Sequence, residues 1–283
     1  MSYVTMQSLL KRASEKGVAI GSFNVFNLDS LQGVMNAAEA KNSPVIIAYA
    51  ESHIKYGDLE VMAYAIQNLA EKSKVEVAAQ FDHGKTIAMV KKAIGLGFSS
   101  VMYDGYDIPY EQKVEETREI VEAAHEKGLS VEAPLGRIGT VGEEDKKRYE
   151  HDKLTKPELV ADFVNRTGID NLAVAIGTMH GRKDGSTTLN FDLLKAIKNE
   201  TKAYISLHGG SGVKDDDYRK AIELGISKIS IFTRVANAGT FAIKKALETS
   251  TPRFPDLMVP AKAGVSAEVQ YLMDIFRSSE LSK

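Results

Sequence analysis

Three histidines, each placed where an apolar run ends, are the residues of this chain best suited to chemistry. Asp82-His83 closes the run 75–81, His180 follows 171–176, and His208 closes 203–207. Asp104 closes a fourth run, at 99–103, and Glu132 lies within a fifth, at 130–135. Three imidazoles that leave one coordination position open are the arrangement of a catalytic zinc, whereas structural sites are closed by four protein ligands. The chain has no cysteine, so any metal must be held by imidazole and carboxylate. Each residue also has an ordinary reading: a lone strand-end histidine is commonly just hydrogen-bonded, and Asp82 could cap the helix that follows it. Agreement across three separate runs, and the adjacency of Asp82 to His83, favour chemistry. His53, His125 and His151 lack this placement and read as helix or loop surface residues.

Two glycine turns adjoin these histidines. His180-Gly181 and His208-Gly209-Gly210-Ser211-Gly212 offer flexible backbone whose successive N–H groups can wrap a phosphate, aided by the N-terminus of the following helix. A metal and a phosphate would then lie side by side.

Such residues need a frame that brings distant positions to one place. Short β-rich runs recur at 19–25, 44–50, 75–81, 99–103, 130–135, 171–176, 203–207 and 228–232. Between them lie segments with helical spacing, such as Leu31, Val34, Met35 and Ala38, or Leu159, Val160, Phe163 and Val164. Continuous rather than alternating hydrophobicity predicts strands buried on both faces, as in a parallel sheet covered by helices. Eight alternating units predict one domain spanning 1–283, an α/β (β/α)8 TIM barrel, in which the strand ends converge on a single mouth. An open doubly wound sheet would carry a glycine-rich turn after its first strand, where this chain has Asn24-Val25-Phe26-Asn27. The stretch 136–156, charged and glycine-containing, predicts a long mobile loop.

Composition narrows the partners. Lys plus Arg number 36 against 38 Asp plus Glu, a net charge of −2, and no basic run forms a track for nucleic acid or anionic lipid. No stretch approaches the length of a membrane span and the N-terminus carries no signal-peptide pattern, so a cytoplasmic protein is expected. The apolar C-terminal residues Val269, Tyr271, Leu272, Met273, Ile275 and Phe276 could pack on a partner or cover the base of the barrel itself.

Phe23-Asn24-Val25, Phe81-Asp82-His83, Val131-Glu132-Ala133, the segment from Leu172 to His180-Gly181, and Leu207-His208-Gly209-Gly210-Ser211-Gly212 together resemble the class II, metal-dependent ketose-bisphosphate aldolases. The resemblance runs from near the N-terminus to about Thr233. It implies His83, His180 and His208 as zinc ligands, Asp82 as the acid/base at the C4 hydroxyl, and Gly181, Gly209, Ser211 and Thr233 as binders of the dihydroxyacetone phosphate. It also implies substrate contacts at the positions of Asn24 and Ser230. A proton-shuttling glutamate is expected on the loop after strand five, with Glu144 the better match and Glu143 its competitor. A homodimer or tetramer is the family-level expectation. The implied reaction cleaves a ketose 1-phosphate or 1,6-bisphosphate to dihydroxyacetone phosphate and an aldehyde, with a divalent cation offsetting the charge that develops on the cleaved carbon skeleton. Three imidazoles suit zinc best but accept cobalt and other divalents.

The chain departs from the family pattern at several positions. Pro134 replaces a second glutamate after strand five, Ser230 replaces an asparagine, Arg234 replaces an acid, Ala50 replaces a serine, and Thr251-Pro252-Arg253 only loosely echoes the distal arginine motif. If Arg234 faces the mouth, its planar fork favours an anionic distal substrate end; the alternative is a salt-bridging arginine on the first turn of the last helix. A non-catalytic sugar-phosphate-binding relative and a metal-dependent barrel hydrolase are the rival readings.

Overall fold

A computed structural model describes residues 2–140, 154–181, 185 and 187–282. Its strands, in chain order, are β1 (Ile20–Asn24), β2 (Val45–Ala50), β3 (Val77–Gly84), β4 (Ser100–Tyr103), β5 (Ser130–Leu135), β6 (Gly139–Thr140), β7 (Asn171–Val174), β8 (Met179–His180), β9 (Tyr204–Leu207) and β10 (Ile226–Ile231). Eight of them close into a parallel barrel in the order β1-β10-β9-β7-β5-β4-β3-β2, and β6 pairs with β8 as a separate ribbon on the rim. The predicted eight-stranded TIM barrel is what the chain forms.

The helices are α1 (Met6–Lys16), α2 (Leu28–Ala40), α3 (Leu59–Lys72), α4 (Ile87–Gly95), α5 (Tyr110–His125), α6 (Pro157–Thr167), α7 (Phe191–Asn199), α8 (Asp215–Glu223), α9 (Thr233–Thr249) and α10 (Met258–Phe276). Side-chain caps start several of them: Asn27 and Ser30 form a reciprocal capping box on α2, Asp58 caps α3, and Thr86 caps α4. The cap on α4 matters for the site, because it is Thr86 and not Asp82 that accepts from the first turn, through the Met89 N–H at 3.2 Å. Among the described residues no helix is long and apolar enough to cross a membrane.

The strands differ from expectation in one respect. Their helix-facing residues, such as Val77, Ala79 and Phe81 of β3 or Val131, Ala133 and Leu135 of β5, form one apolar layer with the surrounding helices. The intervening residues point inward by the two-residue period of a strand, and many are polar: Gln80, Glu132, Asn171, Ser206 and Lys228 are all fully buried. The hydrophobicity therefore alternates, with the polar set enclosed by the closed barrel rather than exposed to solvent. Below this polar layer, Ile20, Ile46 and Ala78 pack on Met6, Leu9 and Leu10 of α1, which plugs the base. The C-terminal helix packs in the outer helical layer beside α2 and α9 instead of covering the base: Val269, Leu272, Met273 and Phe276 of α10 are buried within the chain, and only its end reaches the base, where Ala19 N–H donates to the Phe276 carbonyl at 3.1 Å. Only Tyr271 of that apolar set is exposed.

Candidate active site

The C-terminal ends of the strands converge on a cavity of about 680 Å³ lined by Asn24, Asp82, His83, His180, His208 and their neighbours. β3 carries His83 into it through a backbone turn. His83 has φ +54°, the left-handed region that a side-chain-bearing residue enters only when its surroundings enforce it. β9 delivers His208, and His180 comes from β8, held against the chain after β5 by the rim ribbon. One ring nitrogen from each of the three histidines lies within 4.8 Å of the others, a cluster able to hold a metal ion.

Carboxylates orient two of the rings. His83 Nδ1 lies 2.9 Å from Asp104 Oδ1, so its Nε2 faces the cluster; His208 Nε2 lies 2.5 Å from Glu132 Oε1, so its Nδ1 does, 3.2 Å from His83 Nε2. Carboxylate-held imidazoles of this kind are the usual backing of metal ligands. Burial opposes a charged His83, but Asp104, Asp82 and Glu132 outweigh it and push its pKa up to about 10. His180 moves the other way, down to about 3, through burial and then the neighbouring His83 and His208. Carboxylates around His83 favour positive charge at the cluster, and the three-imidazole donor set fits a divalent cation.

Asp82 lies beside the triad. Asn24 Nδ2 donates to its Oδ2 at 2.8 Å, and its buried Oδ1 has no partner among the described residues. Burial alone would raise the pKa of Asp82, yet His83, His208 and Lys228 hold it at about 2, so the carboxylate is ionised. An ionised carboxylate with one oxygen undonated among the described residues is in the protonation state needed to accept a proton.

Beneath the histidines sits the polar layer. Glu132 accepts from Gln80 Nε2 at 2.9 Å, Asn171 Nδ2 at 2.8 Å and Lys228 Nζ at 2.7 Å on one oxygen, and from Ser206 Oγ at 2.8 Å and His208 on the other. Burial opposes its ionisation, but Lys228 and His208 hold its pKa well below the ordinary carboxylate value.

Gly181, Gly209, Ser211, Ser230 and Thr233 line the same cavity. Gly209 has φ +64°, and a Cβ there would lie 2.9 Å from the Met179 carbonyl carbon, so this turn closes on the His180 segment only because it is glycine. Ser211 Oγ accepts from the Arg234 N–H at 3.2 Å, and Ser230 Oγ is 3.5 Å from His208 Nε2.

Between the two readings of Arg234 the structure favours the salt bridge, and one expectation, that for His53, changes. The Arg234 guanidinium does not face the mouth: its Nε donates to Glu268, its Nη1 is 3.8 Å from Asp215, and it stacks 5.2 Å over the Tyr271 ring. The reason is helix geometry, since the first turn of α9 turns this side chain toward α8 and α10. Arg253 is exposed and pairs with Asp256 at 2.9 Å. His53, expected on the surface, is buried and lines the cavity; sequence gave no sign, because its burial comes from Phe26 and Phe232 folding over it. His125 is the half-exposed helix residue it reads as, paired with Asp170. Glu143, Glu144 and His151 lie outside the described residues, as does most of the loop expected to be mobile. Asp104, read from the sequence only as a strand-end acid, proves to be the partner of His83; Gln80, Asn171, Ser206 and Lys228 escaped notice as site residues, although a lysine in the middle of a strand, Ile226-Ser227-Lys228-Ile229, was a visible signal.

A (β/α)8 barrel with three convergent imidazoles and an ionised aspartate at its mouth has the build of a metal-assisted barrel enzyme. The chain belongs to the class-II fructose-bisphosphate aldolase family, whose model matches residues 4–281. It is 36% identical over 285 residues to fructose-bisphosphate aldolase of Geobacillus stearothermophilus, covering 99% of this chain and 98% of that one. It is 34% identical over 290 residues, the full length of both, to fructose-bisphosphate aldolase of Staphylococcus aureus (strain N315). Its fold matches the crystal structure of the YdjI aldolase from Escherichia coli K12 with a TM-score of 0.86 and 31% identity over 99% of this chain and 100% of that one. The protein is a class II aldolase, an aldehyde-lyase of a metal-dependent family.

Proposed function

We propose that the enzyme uses zinc to cleave a ketose 1-phosphate or 1,6-bisphosphate between C3 and C4, releasing dihydroxyacetone phosphate and an aldehyde. The observation that carries this reading is the convergence of His83, His180 and His208 beside an ionised Asp82 whose Oδ1 has no donor among the described residues. His83, His180 and His208 would hold the ion, which when bound supplies electrophilic stabilisation of the charge left on the ketone half. Asp82 accepts the C4 hydroxyl proton as the bond breaks, and Asn24 fixes its other oxygen. Backbone N–H groups at Gly181 and Gly209, the Ser211 hydroxyl and the α9 N-terminus at Thr233 bind the phosphate, with Ser230 at the substrate edge. Glu144, or Glu143 beside it, moves the proton at C3. Lys85 on the rim supports an anionic distal end. Exposed Phe241, Phe254 and Val259 on the α9–α10 arm support assembly as a homodimer or tetramer.

The test is a retro-aldol assay coupled to dihydroxyacetone phosphate detection, over ketose phosphates with varied distal ends, before and after chelation. Cleavage should vanish on chelation and return with about one zinc per chain. Borohydride trapping of substrate on a lysine, or turnover undiminished after the metal is removed, would refute it.

A further inference from the structure

His53 stands at the end of β2, on the short turn Glu51–His53 that follows Ala50. Ala50 pairs in register with Asp82 of β3, so this turn leaves the barrel directly beside the proposed base. The glycine turns assigned to the phosphate follow β8 and β9, on the side of the closed barrel away from β2. A ketose with its phosphate there and its C4 hydroxyl at Asp82 can extend its remaining carbons over the β2 end, where Ala50 and His53 line the same cavity.

The imidazole is fixed before any substrate arrives. Its ring lies 4.5 Å from that of Phe232, with Phe26, Tyr49 and Tyr56 around it at 5.9 to 6.3 Å. Its Nδ1 is 3.1 Å from the Val25 carbonyl oxygen, which can only accept, so Nδ1 carries a proton. Nε2 is the remaining polar atom and has no protein partner among the described residues, although the ring lines the cavity. Burial lowers the basicity of this ring, which leaves Nε2 a lone pair rather than a second proton.

We propose that His53 is a specificity-determining residue for the aldehyde half: its Nε2 accepts a hydrogen bond from a hydroxyl on the carbons beyond C4, while Ala50 and Phe232 bound the carbon skeleton. The acceptor selects a hydroxyaldehyde over its deoxy analogue and does not itself bind an anion. This rests on the aldolase reading of the same cavity.

The experiment is condensation of dihydroxyacetone phosphate with glyceraldehyde, propionaldehyde or glyceraldehyde 3-phosphate by the zinc-loaded wild type, His53→Phe and His53→Gln. Zinc content and exchange of the C3 proton of dihydroxyacetone phosphate in heavy water, which needs no aldehyde, are measured alongside. The wild type should prefer glyceraldehyde to propionaldehyde in kcat/KM, and His53→Phe should reduce that preference about 3- to 10-fold, the scale of one neutral hydrogen bond, through the aldehyde KM. His53→Gln, whose amide oxygen can reach the Nε2 position, should restore part of it. An unchanged preference in His53→Phe would overturn the proposal, as would equal losses on both aldehydes together with lost zinc or exchange, which mark a structural role. The largest loss falling on glyceraldehyde 3-phosphate would overturn it too, because the ring would then be binding an anion. A wild type that neither exchanges nor condenses defeats the aldolase reading itself, and this proposal with it.

Discussion

Glu132→Gln tests how the polar layer inside the barrel governs the metal site above it. The carboxylate is fully buried and receives five donors: Lys228, Gln80 and Asn171 on one oxygen, Ser206 and His208 on the other. Glutamine keeps the shape but turns one oxygen into an NH2. Toward Lys228 that group meets an ammonium, which cannot become an acceptor. Toward His208 it meets Nε2, which can accept only if the ring proton moves to Nδ1, the nitrogen 3.2 Å from His83 that faces the cluster. Gln80 Oε1 and Asn171 Oδ1 have no partner among the described residues, so those two amides can turn over and adapt, whereas Lys228 cannot. The variant is therefore expected to shift the His208 tautomer and weaken zinc about 10- to 100-fold, the scale of losing a carboxylate behind a metal-ligating histidine. Losing the counter-charge of a buried lysine should also lower stability by about 3–5 kcal/mol. Zinc affinity by chelator competition and urea unfolding of the metal-free protein read the two effects separately. Glu132→Gln/Lys228→Met removes the stranded charge, so it should recover most of the stability while leaving zinc weak. Zinc affinity within threefold of wild type in the single variant, or full recovery in the double one, would refute the tautomer argument.

Asp82→Asn should retain zinc and the phosphate contacts while cleavage falls by roughly 10² or more, the lower range of positioned proton transfer, as read by single-turnover assay with metal analysis. Arg234→Met should act on stability rather than specificity: with Glu268 and Asp215 as its partners, kcat/KM is expected to change equally on substrates with charged and uncharged distal ends. A selective loss on the charged ones would restore the mouth-facing reading. Lys113 is buried with its ammonium on the Asp104 carbonyl at 2.9 Å, and burial lowers its pKa to about 8 despite the attraction of Asp104. A lysine depressed in the folded state is bound by more protons when unfolded between pH 8 and its ordinary 10.5, so its contribution to stability rises with pH across that window. At ~1.4 kcal/mol per pKa unit the rise is roughly 3 kcal/mol. Chemical unfolding from pH 7.5 to 10.5 should show a steeper upward component in wild type than in Lys113→Met, and parallel curves would contradict the shift.

The eight-stranded architecture and the three clustered histidines were legible in the amino-acid order for physical reasons. Strand and helix periods are local, and a closed parallel barrel sends every strand end to the same mouth, so His83, His180 and His208 could be placed together without knowing a single contact. The glycine turns were legible because the backbone at Gly209 admits no side chain. Sequence could not determine which way a side chain turns when two destinations are chemically equivalent. Arg234 pairs with acids on α8 and α10 rather than facing the mouth because of its angular position on α9, a matter of fractions of a helical turn. His53 is buried because Phe232, nearly 180 residues away in the chain, closes over it. Glu132, Gln80, Asn171, Ser206 and Lys228 come from five different strands, and their mutual hydrogen bonds exist only once the barrel closes. Residue type and local period thus determined the elements and the mouth, while barrel closure alone decided which polar groups meet inside it and which histidine nitrogen is left for the metal.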